Sequence, residues 1–370
     1  MREDILAIDT PTHTLAATLT YALTDQTKAL VVMFPGSGPI DRNENLPSFS
    51  LNIFNALAES FANSGYASLR YDKRGCGASG GDYISAGHKD FVNDAAQVTQ
   101  HARQLPDFIN TPLILLGHSE GAAIAPQVAQ MTQAAQETAT QETATQAAQE
   151  TATQAAQATA TQAAQATATQ AAQATQTARA AEATQPKVAS IKGLILLCPF
   201  ARPMREVLTQ QAKNRTAEIQ GMTGFRGFVT RSFVRLRGGF DGMQSQFLKR
   251  VENSSTDTIT HVKVTLNAKW YREMLALDIQ DVLKNIETPT LAIGGGKDTQ
   301  CDPKDTAALN QLITKAAVST HIEQNLTHIL RCDDQPPGTA RYPHLAKEPI
   351  DESVAKRCCE WMDDLIKVNG

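Results

Sequence analysis

The stretch Pro112-Leu113-Ile114-Leu115-Leu116-Gly117-His118-Ser119-Glu120-Gly121-Ala122-Ala123-Ile124 decides how the chain is read. Residues 113–116 are a continuous apolar run, the pattern of a strand buried on both faces. Small residues of a helix follow Gly121, and Gly117 and Gly121 leave room for a tight turn between the two. Ser119 then stands at the tip of a sharp strand-to-helix turn. A serine hydroxyl is a poor nucleophile until a base takes its proton, and the oxyanion formed by its attack needs donors. The turn exposes the hydroxyl, and the amide of Glu120 at the helix start points where negative charge develops. The five-residue pattern alone is not enough, because Gly77-Ala78-Ser79-Gly80-Gly81 fits it too. Asp82-Tyr83 and a polar loop follow that second match, with no helix pattern behind it. Context selects Ser119.

The flanking segments alternate in the same way. The runs 29–34, 67–71, 193–198, 290–293 and 318–323 are expected strands, as is the Thr- and Ala-rich segment 15–23. Between them, Ile53, Phe54, Leu57, Ala58 and Phe61 recur at helical spacing, as do Phe91, Val92, Ala95 and Val98. A last helix carries Val354, Cys358, Trp361, Met362 and Leu365 on one face. Such alternation predicts an α/β fold, a mostly parallel sheet with helices on both faces.

In that frame the loops after the strands carry the chemistry. Pro35-Gly36-Ser37-Gly38 follows an early strand, and the Ser37 amide is the candidate for the second oxyanion donor. Asp298, in Gly296-Lys297-Asp298, follows the strand at 290–293, with Asp302 as the fallback. His328 follows the last expected strand in Asn325-Leu326-Thr327-His328. The order Ser119, Asp298, His328 is that of a nucleophile, an orienting acid and a base. Of the other histidines, His321 falls inside a strand pattern and His344 in a Pro-rich tail region. His118 flanks the nucleophile but is expected to point away from it.

Composition narrows the function classes. There are 34 Lys and Arg against 38 Asp and Glu, a net charge of −4. This leaves no basic surplus for a nucleic-acid backbone. No apolar run approaches the ~18–20 residues of a membrane span, and the acidic start MREDILAIDT does not read as a signal peptide. The chain is therefore expected to be cytoplasmic. The 6 cysteines are scattered, with no CxxC pair, so neither a disulfide framework nor a zinc site is expected. No cofactor or metal is called for, and oligomeric state is not readable.

Two regions break the alternation. Residues 132–186 repeat an Ala/Thr/Gln octad, with copies starting at Thr132, Thr145, Thr153 and Thr161. A period of eight does not match 3.6 residues per turn, and there are no large apolar residues to bury. The segment reads as a low-complexity insertion: a solvated extension of the preceding helix that frays into disorder. Residues 201–285 read as a helical cap. Arg226, Arg231, Arg235 and Arg237 are interleaved there with Phe225, Phe228, Phe233, Phe240 and Phe247. The phenylalanines suit packing on the sheet domain, a lid over an acyl pocket with arginines near an anionic group, or a membrane-surface helix. The core is then 1–131, 187–200 and 286–370.

The chain resembles the α/β-hydrolases, and within them bacterial serine hydrolases of the serine aminopeptidase-like and dienelactone-hydrolase-like families. The resemblance rests on Gly36-Ser37-Gly38-Pro39-Ile40-Asp41-Arg42, Arg70-Tyr71-Asp72-Lys73-Arg74-Gly75, Gly117-His118-Ser119-Glu120-Gly121 and Lys269-Trp270-Tyr271-Arg272. It covers about 1–131 and 187–370. It implies an eight-stranded sheet, a Ser119–Asp298–His328 triad and hydrolysis of carboxylic esters of small or medium acyl groups, without a cofactor. The sequence departs from many α/β-hydrolases in having Pro35-Gly36 where they have His-Gly, and in placing its repeat after the elbow helix. A peptidase or thioesterase on the same triad, and a non-catalytic ligand-binding protein, are the alternatives.

Overall fold

The apolar run at 29–34 becomes strand β3 (Leu30–Phe34), in which every residue is buried. Leu30, Val32 and Phe34 enter one hydrophobic cluster and Val31 and Met33 the other. Two clusters on opposite faces of one strand are what a central parallel strand requires. The structure is a computed structural model, which describes all residues except 24–25, 48, 162–189, 237–238, 262–263 and 370.

The other strands of the main sheet are β1 (Arg2–Asp9), β2 (Thr14–Tyr21), β4 (Ala67–Tyr71), β5 (Leu113–His118), β6 (Ile191–Leu197), β9 (Thr290–Gly295) and β10 (Val318–Glu323). They lie in the order β1-β2-β4-β3-β5-β6-β9-β10. Pairing is parallel from β4 to β10, while β2 pairs antiparallel with both β1 and β4. This is the mostly parallel eight-stranded α/β sheet expected from the sequence. One face is covered by α2 (His88–Gln104) and by the start of α3 (Glu120–Thr161), through Phe91, Ala95, Val98, Ile124 and Val128. The other is covered by α1 (Ile53–Asn63), through Ile53, Phe54, Leu57 and Phe61, and by the C-terminal helix, through Val354, Cys358 and Met362.

Strand β1 was not anticipated. Arg2, Glu3 and Asp4 mask its pattern, since an edge strand keeps much of its surface in water. The region 201–285 is not wholly helical either. Helices α4 (Met204–Gly221), α5 (Gly224–Leu236) and α6 (Gly239–Glu252) are followed by a hairpin of β7 (Thr258–His261) and β8 (Val264–Asn267). Then come α7 (Ala268–Ala276) and α8 (Ile279–Lys284), before α9 (Pro303–Leu312), α10 (Tyr342–Leu345) and α11 (Glu352–Asn369) close the chain. The β-branched run Thr258, Ile259, Thr260 explains the hairpin. Phe228 is exposed to solvent and Phe247 packs edge-on against Tyr271 at 4.9 Å. The side chains of Phe225, Phe233 and Phe240 lie outside the described residues.

The chain divides into two units, Met1–Ala129 with Ala189–Gly370, and Gln130–Val188. The described part of the second unit is helix through Thr161, and those of its side chains that are described are mostly exposed. Its threonines bond back one turn, as Thr138 Oγ1 does to the Ala134 carbonyl at 2.9 Å. The expected fraying falls on 162–189, outside the described residues. Among the described residues no helix is long and apolar enough to cross a membrane.

Candidate active site

The loops after β3, β4, β5, β9 and β10 carry the site, all at carboxyl ends of parallel strands. Strand β5 runs through His118 and α3 begins at Glu120, so Ser119 alone makes the turn, with φ at 55°. A non-glycine residue in this left-handed region is strained. The surroundings hold it there. Its amide donates to the Leu197 carbonyl at 2.9 Å and its carbonyl accepts from Ala122 at 3.0 Å. A Cβ on Gly117 would overlap the Gly121 carbonyl, and one on Gly121 would overlap the Phe34 carbonyl. Both contacts are with backbone, so neither position accommodates a side chain.

Ser119 Oγ lies 3.0 Å from His328 Nε2, and His328 Nδ1 lies 2.7 Å from Asp298 Oδ2. The second carboxylate oxygen of Asp298 accepts the amides of Gln300 at 2.8 Å and Cys301 at 2.9 Å. Asp298 and His328 are buried and Ser119 is partly open. The structure thus brings the three sequence-derived residues into one hydrogen-bonded line. Asp302 stands apart, accepting from the Lys304 amide at the start of α9. His321 lies on β10 and His344 on the exposed side of α10. The loop bearing His328 is fastened by Arg331, whose guanidinium donates to the carbonyls of Ile329, Glu348 and Leu51.

On the oxyanion side, Gly36 sits so close to the nucleophile that a Cβ on it would lie 3.4 Å from Ser119 Cβ. The Gly36 amide donates to Glu44 Oε1 at 2.7 Å, which leaves the next amide, that of exposed Ser37, as the loop's candidate donor. Glu120 opens α3, where the first N–H groups have no acceptor within the helix.

Sequence reasoning missed what lies behind these residues. His118 does not point idly away. Its Nε2 lies 2.9 Å from the His328 carbonyl oxygen and its Nδ1 3.0 Å from Glu44 Oε1. Both partners are acceptors, so both bonds are made only by the imidazolium, which donates from both ring nitrogens. Burial opposes that charge, but the Glu44 carboxylate outweighs it and raises the His118 pKa.

A second buried group surrounds the Glu120 carboxylate. Lys73 Nζ lies 2.8 Å from Oε2, while His88 Nδ1 at 3.2 Å and Trp270 Nε1 at 2.5 Å meet Oε1. Burial would raise this carboxyl, but Lys73 and then His88 outweigh it and hold the pKa at about 2. Both groups draw side chains from loops, strand ends and helix starts, and their pairing has no sequence period to announce it. Arg42 grips Asp72 with two bonds of 2.9 and 2.7 Å, so the Asp41-Arg42 and Asp72-Lys73 motifs bind one loop to the other.

Two buried thiols adjoin the site. The donor atoms of His118, Cys198 and His328, and those of Asp298, Cys301 and His328, lie within 4.8 Å of one another. Among the described residues, these are the clusters that could ligate a metal. Burial raises both thiols well above their ordinary value, holding them protonated, and His328 and Asp298 are engaged with each other. The chemistry of the set therefore favours hydrogen bonding over ligation. In the cap, Arg231 donates to the Met222 carbonyl. The side chains of Arg226, Arg235 and Arg237 lie outside the described residues.

The comparisons with known proteins agree with this architecture. The family described as serine aminopeptidase, S33, matches residues 49–176. Esterase EstD of Thermotoga maritima is 22% identical over 334 residues, covering 90% of this chain and 61% of EstD. The chain thus spans about three-fifths of the length of that curated relative. Est1E from Butyrivibrio proteoclasticus, solved with ferulic acid bound, superposes with a TM-score of 0.54 at 17% identity, covering 98% of this chain and 99% of its own. DcsB in complex with its substrate analogue gives 0.53 at 14% identity, with both chains fully covered. With the sheet order and elbow described above, these likenesses show that the chain has the α/β-hydrolase fold.

Proposed function

We propose that the chain is a serine hydrolase of carboxylesterase type, acting on small-molecule esters of small or medium acyl groups. The observation that carries this reading is the line from Ser119 Oγ through His328 to Asp298, at 3.0 and 2.7 Å, on a strained elbow. His328 Nε2 takes the Ser119 proton as Oγ attacks the ester carbonyl. The oxyanion is received by the amides of Ser37 and Glu120. His328 then protonates the leaving alkoxide, and the acyl group remains on Ser119. Water, deprotonated by His328, attacks the acyl-enzyme; the carboxylic acid leaves and Ser119 regains its proton. Asp298 keeps the proton on Nδ1, so that Nε2 faces the serine, and stabilises the imidazolium. No step calls on a metal or organic cofactor.

The family match to serine aminopeptidases favours amide cleavage on the same residues as the second reading. One experiment addresses both. A fluorophosphonate probe should label the wild-type chain and not Ser119→Ala, and turnover is then compared on acyl esters, thioesters and aminoacyl amides. Esters should lead. Labelling of Ser119→Ala, or an inert ester panel beside rapid amide cleavage, would sink the esterase reading.

A further inference from the structure

The loop that presents the Ser37 amide is held by a side chain outside the Ser119–His328–Asp298 line. Lys73, in the turn after β4, is buried and its ammonium has two oxygen partners. One is the Gly36 carbonyl oxygen at 2.7 Å and the other is Glu120 Oε2 at 2.8 Å. The ammonium also rests 4.4 Å from the centre of the Phe91 ring, which keeps water from that side.

The carbonyl of Gly36 and the amide of Ser37 belong to one peptide group. In a planar trans peptide the C=O and N–H point in opposite directions. Fixing the oxygen on Lys73 therefore fixes the heading of the Ser37 N–H on the far side. The second arm of the same ammonium holds the side chain of Glu120, whose own amide is the other donor. Glu120 is steadied in turn by His88 and Trp270. Gly36 is further pinned through its own amide by Glu44.

We propose that Lys73 is a positioning residue for the oxyanion site, its one ammonium bracing Ser37 through the Gly36 carbonyl and Glu120 through its carboxylate. The inference rests on the esterase reading above. It assigns Lys73 no contact with substrate. Its effect is on the direction of two amides at the moment charge develops.

The test uses the full chain and a matched pair of substrates, an oxoester and its thionoester. Sulfur is a weak hydrogen-bond acceptor, so a well-aimed oxyanion site favours the oxoester, and a misaimed one loses that preference. Lys73→Met should lower kcat on the oxoester by about 10²–10³-fold, the cost of losing one oxyanion donor. KM should stay nearly constant, and the oxoester-to-thionoester rate ratio should collapse with kcat. Lys73→Arg and Lys73→Gln keep an N–H donor and should recover part of both. These two variants carry the same measurement if Lys73→Met does not fold. A variant that loses kcat but keeps the wild-type ratio shows a merely structural role and overturns the proposal, as does a folded Lys73→Met with full kcat. A wild-type chain without Ser119-dependent turnover would instead defeat the esterase reading, so the two failures are distinguishable.

Discussion

Residues 77–81 and 117–121 share one five-residue pattern and have opposite fates. Ser79 lies in a turn after β4, where its hydroxyl donates to the Asp72 carbonyl at 2.7 Å and accepts from the Ala16 amide at 2.9 Å. Both hydrogen-bonding capacities are used in closing the loop on β2. Ser119, on its strained elbow, turns its hydroxyl to an imidazole instead. The difference lies behind the pattern: a helix following directly on a buried strand forces the single-residue turn, whereas a polar loop lets the serine settle onto backbone.

Exchanging each serine for alanine breaks the comparison most sharply. Ser119→Ala should lose activity by up to about 10⁶-fold with its melting curve little changed. Ser79→Ala should keep its turnover and lose about 1–2 kcal/mol of stability, as two backbone groups lose their partner. Ester assays and denaturant titrations on both variants decide it, and the reverse result would exchange their roles. The glycines give the next contrast. A Cβ on Gly121 would collide with the Phe34 carbonyl, and displacing the elbow by about 1 Å costs about 10²-fold in kcat/KM. At Gly80 the nearest atom to an added Cβ is 3.6 Å away, so Gly80→Ala should stay within about 0.5 kcal/mol and keep its rate.

Acid sharpens the comparison through the carboxylates beside each turn. Glu120 has its pKa lowered from 4.5 to about 2, and Asp72 is lowered too, by Arg42 against its burial. A depressed carboxyl stabilises the fold above its unfolded pKa, and that contribution is lost as pH falls through the folded value. For Glu120 the window runs from about pH 4.5 down to about pH 2 and is worth about 3 kcal/mol. Glu120→Gln should be less stable at neutral pH and should show a flatter decline across that window. Parallel curves for variant and wild type would contradict the assignment. The smallest effect is expected from deleting 132–186 with a short Gly-Ser join. Both serine turns should keep their properties, with stability changed by under about 1 kcal/mol. Loss of a cooperative melt would show that the repeat carries structure needed by the first unit.

What the sequence disclosed follows from what has a period or a neighbour. Buried strands such as 30–34 and 113–116 were legible because apolar runs between turn residues leave few other readings. The acidic strand β1 and the hairpin at 258–267 were not, because neither buries a continuous run. Ser119, Asp298 and His328 were nominated by their place after strands, and the structure brings their side chains together. Glu44, Lys73 and the inward role of His118 had no such signal. Their partners lie 8 to 210 positions distant along the chain, a proximity that the folded sheet edge creates.

Glu44 and His118 give the site a shared fulcrum. The carboxylate grips the Gly36 amide and the imidazolium together, and the imidazolium grips the loop of His328. Neither the loop of Gly36 nor the loop of His328 can tilt without moving the other. Heat should therefore extinguish catalysis in one step, with no stage in which one half of the machinery outlives the other. Alkali attacks the same joint. The raised pKa of His118 means that its contribution is complete below about pH 6.5 and is lost as pH climbs through the folded value. Deprotonation takes away one of its two N–H bonds, and the fulcrum becomes a hinge.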